Sequence, residues 1–237
     1  MSLYLTLELC SLSIPLILSF DKRVAFFRHW KALFPSLFIT GIIFITADII
    51  FTKNDVWGFN SLYHSDILIA GIPLEEWLFF IIIPYASIFT HYVIINYFPG
   101  TCLSDKSRRI ITMVLIAALM VLIILFHNRT YTAFYSGFMI ILLLISFFDK
   151  SRLLNRFYIT FLVILVPFFI VNGILTGSFI EGEVVWYNES EITGFRIFTV
   201  PFEDIMYGFS LIFMNLMLMD KFKKPAETRL SVTNEKN

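Results

Sequence analysis

The sequence predicts an all-α integral membrane protein with seven transmembrane helices, built as two parallel three-helix repeats joined by a connector helix. Three observations predict it. The chain is too apolar for a soluble domain of its size, its basic residues fall in alternate loops, and its two halves match at a fixed offset.

Of 237 residues, 58% are hydrophobic and 15% charged, and the mean hydropathy is +0.79. A soluble domain of this length buries only part of its surface and cannot hide so much apolar area. The formal net charge is zero, which gives no reason to expect a nucleic-acid partner. Cys10 and Cys102 fall near opposite faces on the predicted topology, so no disulfide is expected, and no metal-ligand spacing occurs. The first apolar stretch has no basic residue before it and a basic cluster after it. That pattern fits a first span with its amino end outside rather than a signal peptide.

A crossing takes about 20 apolar residues. Seven stretches qualify, at about 3–20, 32–51, 73–95, 110–127, 131–148, 157–176 and 200–219. Of the 18 Lys and Arg residues, 15 lie in 21–31, 99–109, 149–156 and the tail after 219, and only Lys53, Arg129 and Arg196 lie elsewhere. The positive-inside rule assigns those four segments to the cytoplasm. The expectation is a multi-pass protein of the cell membrane, amino end outside and carboxyl end cytoplasmic.

Self-comparison at an offset of 128 residues aligns Phe20-Asp21-Lys22 with Phe148-Asp149-Lys150, and Arg28 with Arg156. Val56 and Asn60 align with Val184 and Asn188, and Pro73-Leu-Glu-Glu with Pro201-Phe-Glu-Asp. The implied units are 1–98, a first three-helix repeat; 99–128, a linker with the connector helix; 129–219, a second repeat; and 220–237, a cytoplasmic polar tail. A three-span unit starts outside and ends inside, so a second copy in the same orientation needs one extra crossing. The repeats are therefore parallel, related by an axis along the membrane normal.

Glu75, Glu76, Glu203 and Asp204 fall at the outer ends of apolar spans, where ionisable groups are costly and commonly functional. Acids also suit a helix N-terminus after Pro. Their recurrence at matched positions favours function. Side chains adjacent in sequence do not share a helix face, so the expected working pair takes one acid from each repeat. Carboxyls brought together in a poorly hydrated site cannot all ionise, and a protonated carboxyl beside a basic one is what acid–base work on an apolar substrate requires. Asp48, near the outer end of the second span, is a lone intramembrane acid matched by Thr176 and a further candidate. Trp77, Phe79 and Phe80 follow the first acids, and Phe202, Tyr207 and Phe209 surround the second. Ring faces could steady a cation, while Trp57 and Trp186 also read as interface anchors. Glu8, His91, Asn172 and Asn215 are explained by helix–helix hydrogen bonding.

Asp48-Ile-Ile-Phe, Val56-Trp57-Gly58-Phe59-Asn60 and Gly71-Ile-Pro-Leu-Glu-Glu-Trp-Leu-Phe-Phe-Ile-Ile-Ile-Pro-Tyr resemble the first half of the heterodimeric-type lycopene cyclases, and Val200-Pro-Phe-Glu-Asp resembles the second. In that family two three-span subunits occur separately or fused through one extra span. In this chain's second half, Val184-Val-Trp-Tyr-Asn stands in place of Val-Trp-Gly-Phe-Asn. The resemblance implies a lycopene beta-cyclase, an isomerase of carotenoid biosynthesis that takes its polyene from the bilayer and needs no cofactor or metal. It implies acid–base roles for Glu75 or Glu76 and Glu203 or Asp204, with Asp48 orienting or replenishing a proton. Trp57, Phe59, Asn60, Trp77, Phe79, Phe80, Phe202 and Tyr207 would then contact substrate, and a homo-oligomer or carotenoid-pathway partners would be further associations. The sequence lacks the Gly-x-Gly-x-x-Gly of flavin-dependent cyclases. The competing classes are a proton-coupled transporter using the same acids and a membrane prenyltransferase. The prenyltransferase would want acids one helical turn apart for a metal–diphosphate cluster. A retinal protein would want a lysine in the last span, and 200–219 has none.

Overall fold

The computed structural model describes residues 1–147, 149 and 151–234, and for 224–234 the backbone alone. Two repeat landmarks, Phe148 and Lys150, and the end of the tail, 235–237, lie outside the described residues. The fold is carried by α1 (Leu3–Leu18), α2 (Trp30–Lys53), α3 (Leu74–Tyr97), α4 (Asp105–Leu125), α5 (Thr130–Phe147), α6 (Leu153–Leu175) and α7 (Glu203–Asn234). Among the described residues, six helices are long and apolar enough to cross a membrane, α7 through its Glu203–Lys223 part; α1, at 16 residues, is shorter. The chain is thus mostly helical, with several apolar helices of membrane-crossing length.

Local chemistry sets several helix ends. The Ser2 hydroxyl caps α1 by accepting from the Leu5 amide at 3.2 Å, and Ser104 caps α4 by accepting from Ser107 at 3.1 Å. Pro15, Pro35, Pro84 and Pro167 lie inside helices. Interior prolines each remove a backbone hydrogen bond, a cost that packed apolar helices tolerate.

Among the described residues, six short strands add an element that the all-α expectation lacked. They are β1 (Trp57–Phe59), β2 (Leu68–Ile69), β3 (Ile72–Pro73), β4 (Val185–Tyr187), β5 (Arg196–Ile197) and β6 (Val200–Pro201). Strands of two or three residues are too short to leave a periodic signal. β2–β3 and β5–β6 are hairpins that turn at Ala70-Gly71 and Phe198-Thr199. Ala70 and Phe198 both take left-handed φ, 55° and 57°. The two hairpins lie 128 residues apart, and each delivers the chain into an acid-bearing helix. Pro73 therefore occupies the N-cap of α3 with extended backbone (ψ 149°), and Pro201 ends β6, rather than either opening a helical turn.

β1 and β4 pair antiparallel with Gly58 opposite Trp186, so the register is centred on two residues 128 apart. Just outside the ladder, the Asn60 amide donates to the Val184 carbonyl and the Asn188 amide to the Val56 carbonyl, both at 2.9 Å. The positions aligned by self-comparison are therefore reciprocal partners. Gly58 has a local reason: a Cβ there would stand 2.4 Å from the Trp186 indole.

Helix packing follows the same correspondence. α1 packs on α3 as α5 packs on α7, and α2 packs on α7 as α3 packs on α6. α7 is the most enclosed, with 61% of its span buried, whereas α4 has 17% buried and packs mainly along α5.

Candidate active site

Adjacent acids on one helix are about 100° apart around its axis, at 3.6 residues per turn. The structure separates each pair accordingly. Glu75 turns to the start of α1 and the segment before β2, accepting from the Ser2 hydroxyl (2.6 Å), the Ser65 amide (2.7 Å) and the Ser65 hydroxyl (2.9 Å). Glu203 does the same, accepting from the Thr132 hydroxyl and the Thr193 amide, both at 2.6 Å. Ser65 and Thr193 are themselves 128 apart. These two acids tie the loops to the helix starts.

Glu76 and Asp204 turn instead into one shared cavity of about 310 Å³. Glu76 accepts from the Tyr4 hydroxyl at 2.6 Å. Asp204 accepts from Tyr131 at 2.8 Å and from Tyr187 at 3.0 Å. Asp48 is fully buried behind Glu76, with its carboxyl beside that of Glu76 and near the Tyr207 hydroxyl. No regular hydrogen bond reaches either Asp48 oxygen among the described residues. Although Tyr187 is partly exposed, crowding around its hydroxyl and the adjacent Asp204 carboxylate push it well above the usual tyrosine range, so it stays a donor.

Below the acids the cavity wall is apolar, supplied by α1, α3, α6 and α7. Helical spacing explains the two central faces. Glu76, Phe79 and Ile83 follow one another at three and four residues on α3, and on α7 Tyr207 and Gly208 lie three and four residues after Asp204, with Leu211 four and three beyond them. Over the acids sits a group of rings. Trp57 lies 5.7 Å from both Tyr131 and Tyr187, and 6.0 Å from Tyr207, between ring centroids.

Of the expected substrate contacts, Trp57, Phe79 and Tyr207 line the cavity. The others do not. Phe80 packs against Phe44 at 6.1 Å on the far side of α3, and Trp77 donates its indole N–H to the Ile69 carbonyl of the hairpin. Phe202 stacks edge-on with Phe195. Asn60 serves the strand pairing, its side chain accepting from Leu62, and Phe59 packs beside Trp57 in β1. Trp57 is 4% exposed, a buried wall residue and not an interface anchor. Trp77 and Phe202 each neighbour a cavity-facing position by one or two residues, which turns them away. Reasoning from sequence missed Tyr4, Tyr131 and Tyr187. Tyr4 and Tyr131 are 127 apart, one short of the repeat offset, so self-comparison pairs Tyr4 with Thr132 instead.

His91 donates or accepts across to Thr160 of α6 at 2.7 Å, the helix–helix bond expected of it. Asn215 bonds within its own helix, as does Asn172, which also lines the cavity. Glu8 is 1% exposed with no hydrogen-bond partner among the described residues.

A family model described as lycopene cyclase matches the chain over residues 1–94 and 128–222. The unmatched stretch between them contains the whole of α4. No curated protein matches the chain, and no solved structure matches it.

Proposed function

The chain belongs to the lycopene cyclase family, and from that premise we propose that it closes the ends of lycopene, taken from the bilayer, into β-ionone rings. The observation that carries the proposal is the convergence of Glu76 and Asp204 on one apolar, ring-walled cavity. Glu76, backed by the Asp48 carboxyl, is the acid. Two buried carboxyls side by side cannot both ionise, so one keeps its proton, which leaves a neutral group able to donate. Asp204, with an O–H donor on each oxygen, is matched to its anion and is the base.

The proton adds to the terminal double bond and leaves a tertiary carbocation. The electrons of the next double bond close the ring and move the charge to a ring carbon. Asp204 removes the proton at the carbon bearing the polyene, and that bond's electrons become the ring double bond. The product is an isomer of the substrate, and the proton taken from Glu76 is balanced by the one given to Asp204. The faces of Trp57, Tyr131 and Tyr207 steady the cation by about 0.5–2 kcal/mol each at best. The apolar wall keeps out water that would trap the cation as an alcohol.

The same reading takes seven crossings, with α1 spanning despite its length, and the hairpin end of the bundle outside. The placement of 15 of 18 basic residues in alternate loops supports it. Two halves related by an axis along the membrane normal are supported by the β1–β4 register centred on Gly58 and Trp186. The test is expression in cells that accumulate lycopene, followed by pigment separation. Cyclic carotene is expected, and unchanged lycopene in membranes containing the protein would defeat the proposal.

A further inference from the structure

The cavity occupies the cleft between α1 and α3 on one side and α6 and α7 on the other. An offset of 128 residues carries α1 to α5, α3 to α7 and α6 back to α2. A matching cleft should therefore lie among α5, α7, α2 and α3. It is filled. Phe44 of α2 sits 6.1 Å from Phe80 of α3 and 5.5 Å from Phe138 of α5, and 5.3 Å from Tyr207 of α7. Phe44 and Phe80 are almost wholly buried.

The counterparts of these three phenylalanines at the same offset are Asn172, Gly208 and Cys10. All three line the open cavity. The cavity thus exists where one half carries small or polar side chains and the other carries rings. Gly208 has no room to spare, since a Cβ there would stand 3.1 Å from the Phe168 ring, itself part of the wall. Cys10 and Pro167 are exposed on the outer surface of α1 and α6, and Ile14 is 64% exposed. All three also line the cavity. The cavity therefore opens sideways, towards lipid, between α1 and α6.

We infer that the polyene enters by this lateral mouth, past Cys10, and that the ring-filled second cleft takes no substrate, so the two ends are closed in separate encounters. This rests on the cyclase reading above. A volume of about 310 Å³ is at the small end of ligand pockets. It admits one end of the molecule, with the remainder left in the bilayer. The asymmetry also divides the labour between the halves. At the position of Asp48 the open cleft has Thr176, which lines the cavity, so the second carboxyl is buried out of the cavity beside Glu76 while the matched space is given to substrate.

The experiment exchanges one repeat-matched pair, Cys10→Phe and Phe138→Cys, in lycopene-accumulating cells, with membrane protein quantified alongside pigment. C10F should cut cyclisation by about tenfold or more, because a ring at that position obstructs the mouth the polyene must pass. F138C should stay within about threefold of the parent. C10F retaining parental activity, or F138C losing it while its protein accumulates, would overturn the inference. The parent chain supplies a second measurement that needs no variant. With excess lycopene, free monocyclic carotene should appear before any bicyclic product, and bicyclic product formed without it would overturn sequential closure. Absence of every cyclic carotene from the parent would instead remove the cyclase reading itself.

Discussion

The division between neighbouring acids gives the sharpest test at the scale of residues. Glu76 and Asp204 face the cavity, so Glu76→Gln and Asp204→Asn should each lower cyclisation by about a hundredfold or more, the usual worth of a positioned acid or base. Glu75→Gln and Glu203→Gln should act on the fold instead. Glu75 takes three hydrogen bonds from Ser2 and Ser65, and an amide cannot accept all of them. The loss should be about 1–3 kcal/mol, read as a lower unfolding temperature in detergent, with the surviving folded protein still active. Equal activity loss in all four at equal stability would show that the acids are not divided this way. The motif positions were legible in the sequence, and so was the rule that adjacent acids diverge. The same rule, applied to the rings, retains Phe79 three residues from Glu76 and removes Trp77 one residue from it. What could not be read was the approach of Asp48 to Glu76, because that depends on how α2 is rotated against α3. The tyrosines escaped for a different reason: a one-residue slip in the first helix of each half moves Tyr4 and Tyr131 out of register.

At the scale of elements, the β1–β4 pair is a joint between the halves, and its centre is asymmetric for a steric reason. Residues that face each other across such a centre compete for one space. A Trp opposite a Gly resolves the competition, and the Trp186 ring occupies the volume that a side chain on Gly58 would need. Gly58→Val should therefore displace Trp186, part the strands and shift Trp57, whose ring is in the cavity wall. Quenching or shift of Trp emission with reduced activity is expected, and an unchanged spectrum with full activity would contradict the joint. α4 makes the opposite case. It has 17% of its span buried and falls in the gap between the two family matches. Co-expressing 1–104 with 128–237 should restore cyclisation at a reduced level, while either piece alone should give none, since Asp48 and Glu76 come from one piece and Asp204 from the other. An apolar stretch without a counterpart was legible there, and α4 is the helix that forms in it. The hairpins and the joint were not, since strands of two or three residues carry no period.

The arrangement of the whole molecule turns on crossings, and the strand joint constrains their number. β1 follows α2 and β4 follows α6, and they pair directly, so the C-terminal ends of α2 and α6 share one end of the bundle. Four helices, α3 to α6, separate those ends in the chain, and an even number of crossings returns the chain to the same side. The amino end belongs there as well, because Ser2 bonds Glu75 at the start of α3. α1 then runs from the hairpin end to the basic end, where Ser19 bonds Tyr85 at 2.6 Å. Its 16 residues extend only about 24 Å at the helical rise, against a hydrocarbon core of about 30 Å. The shortfall is of the kind met by local thinning of the bilayer. The proposed seven crossings, with the basic loops in the cytoplasm, agree with this parity and with the charge distribution. A reporter that fluoresces only in the cytoplasm should therefore light up when fused after residue 223 and stay dark when fused before Met1. An export-dependent phosphatase should give the inverse pattern. Both termini on one side would mean that α1 lies along the membrane surface. That would leave six crossings and remove the outer wall of the proposed mouth between α1 and α6.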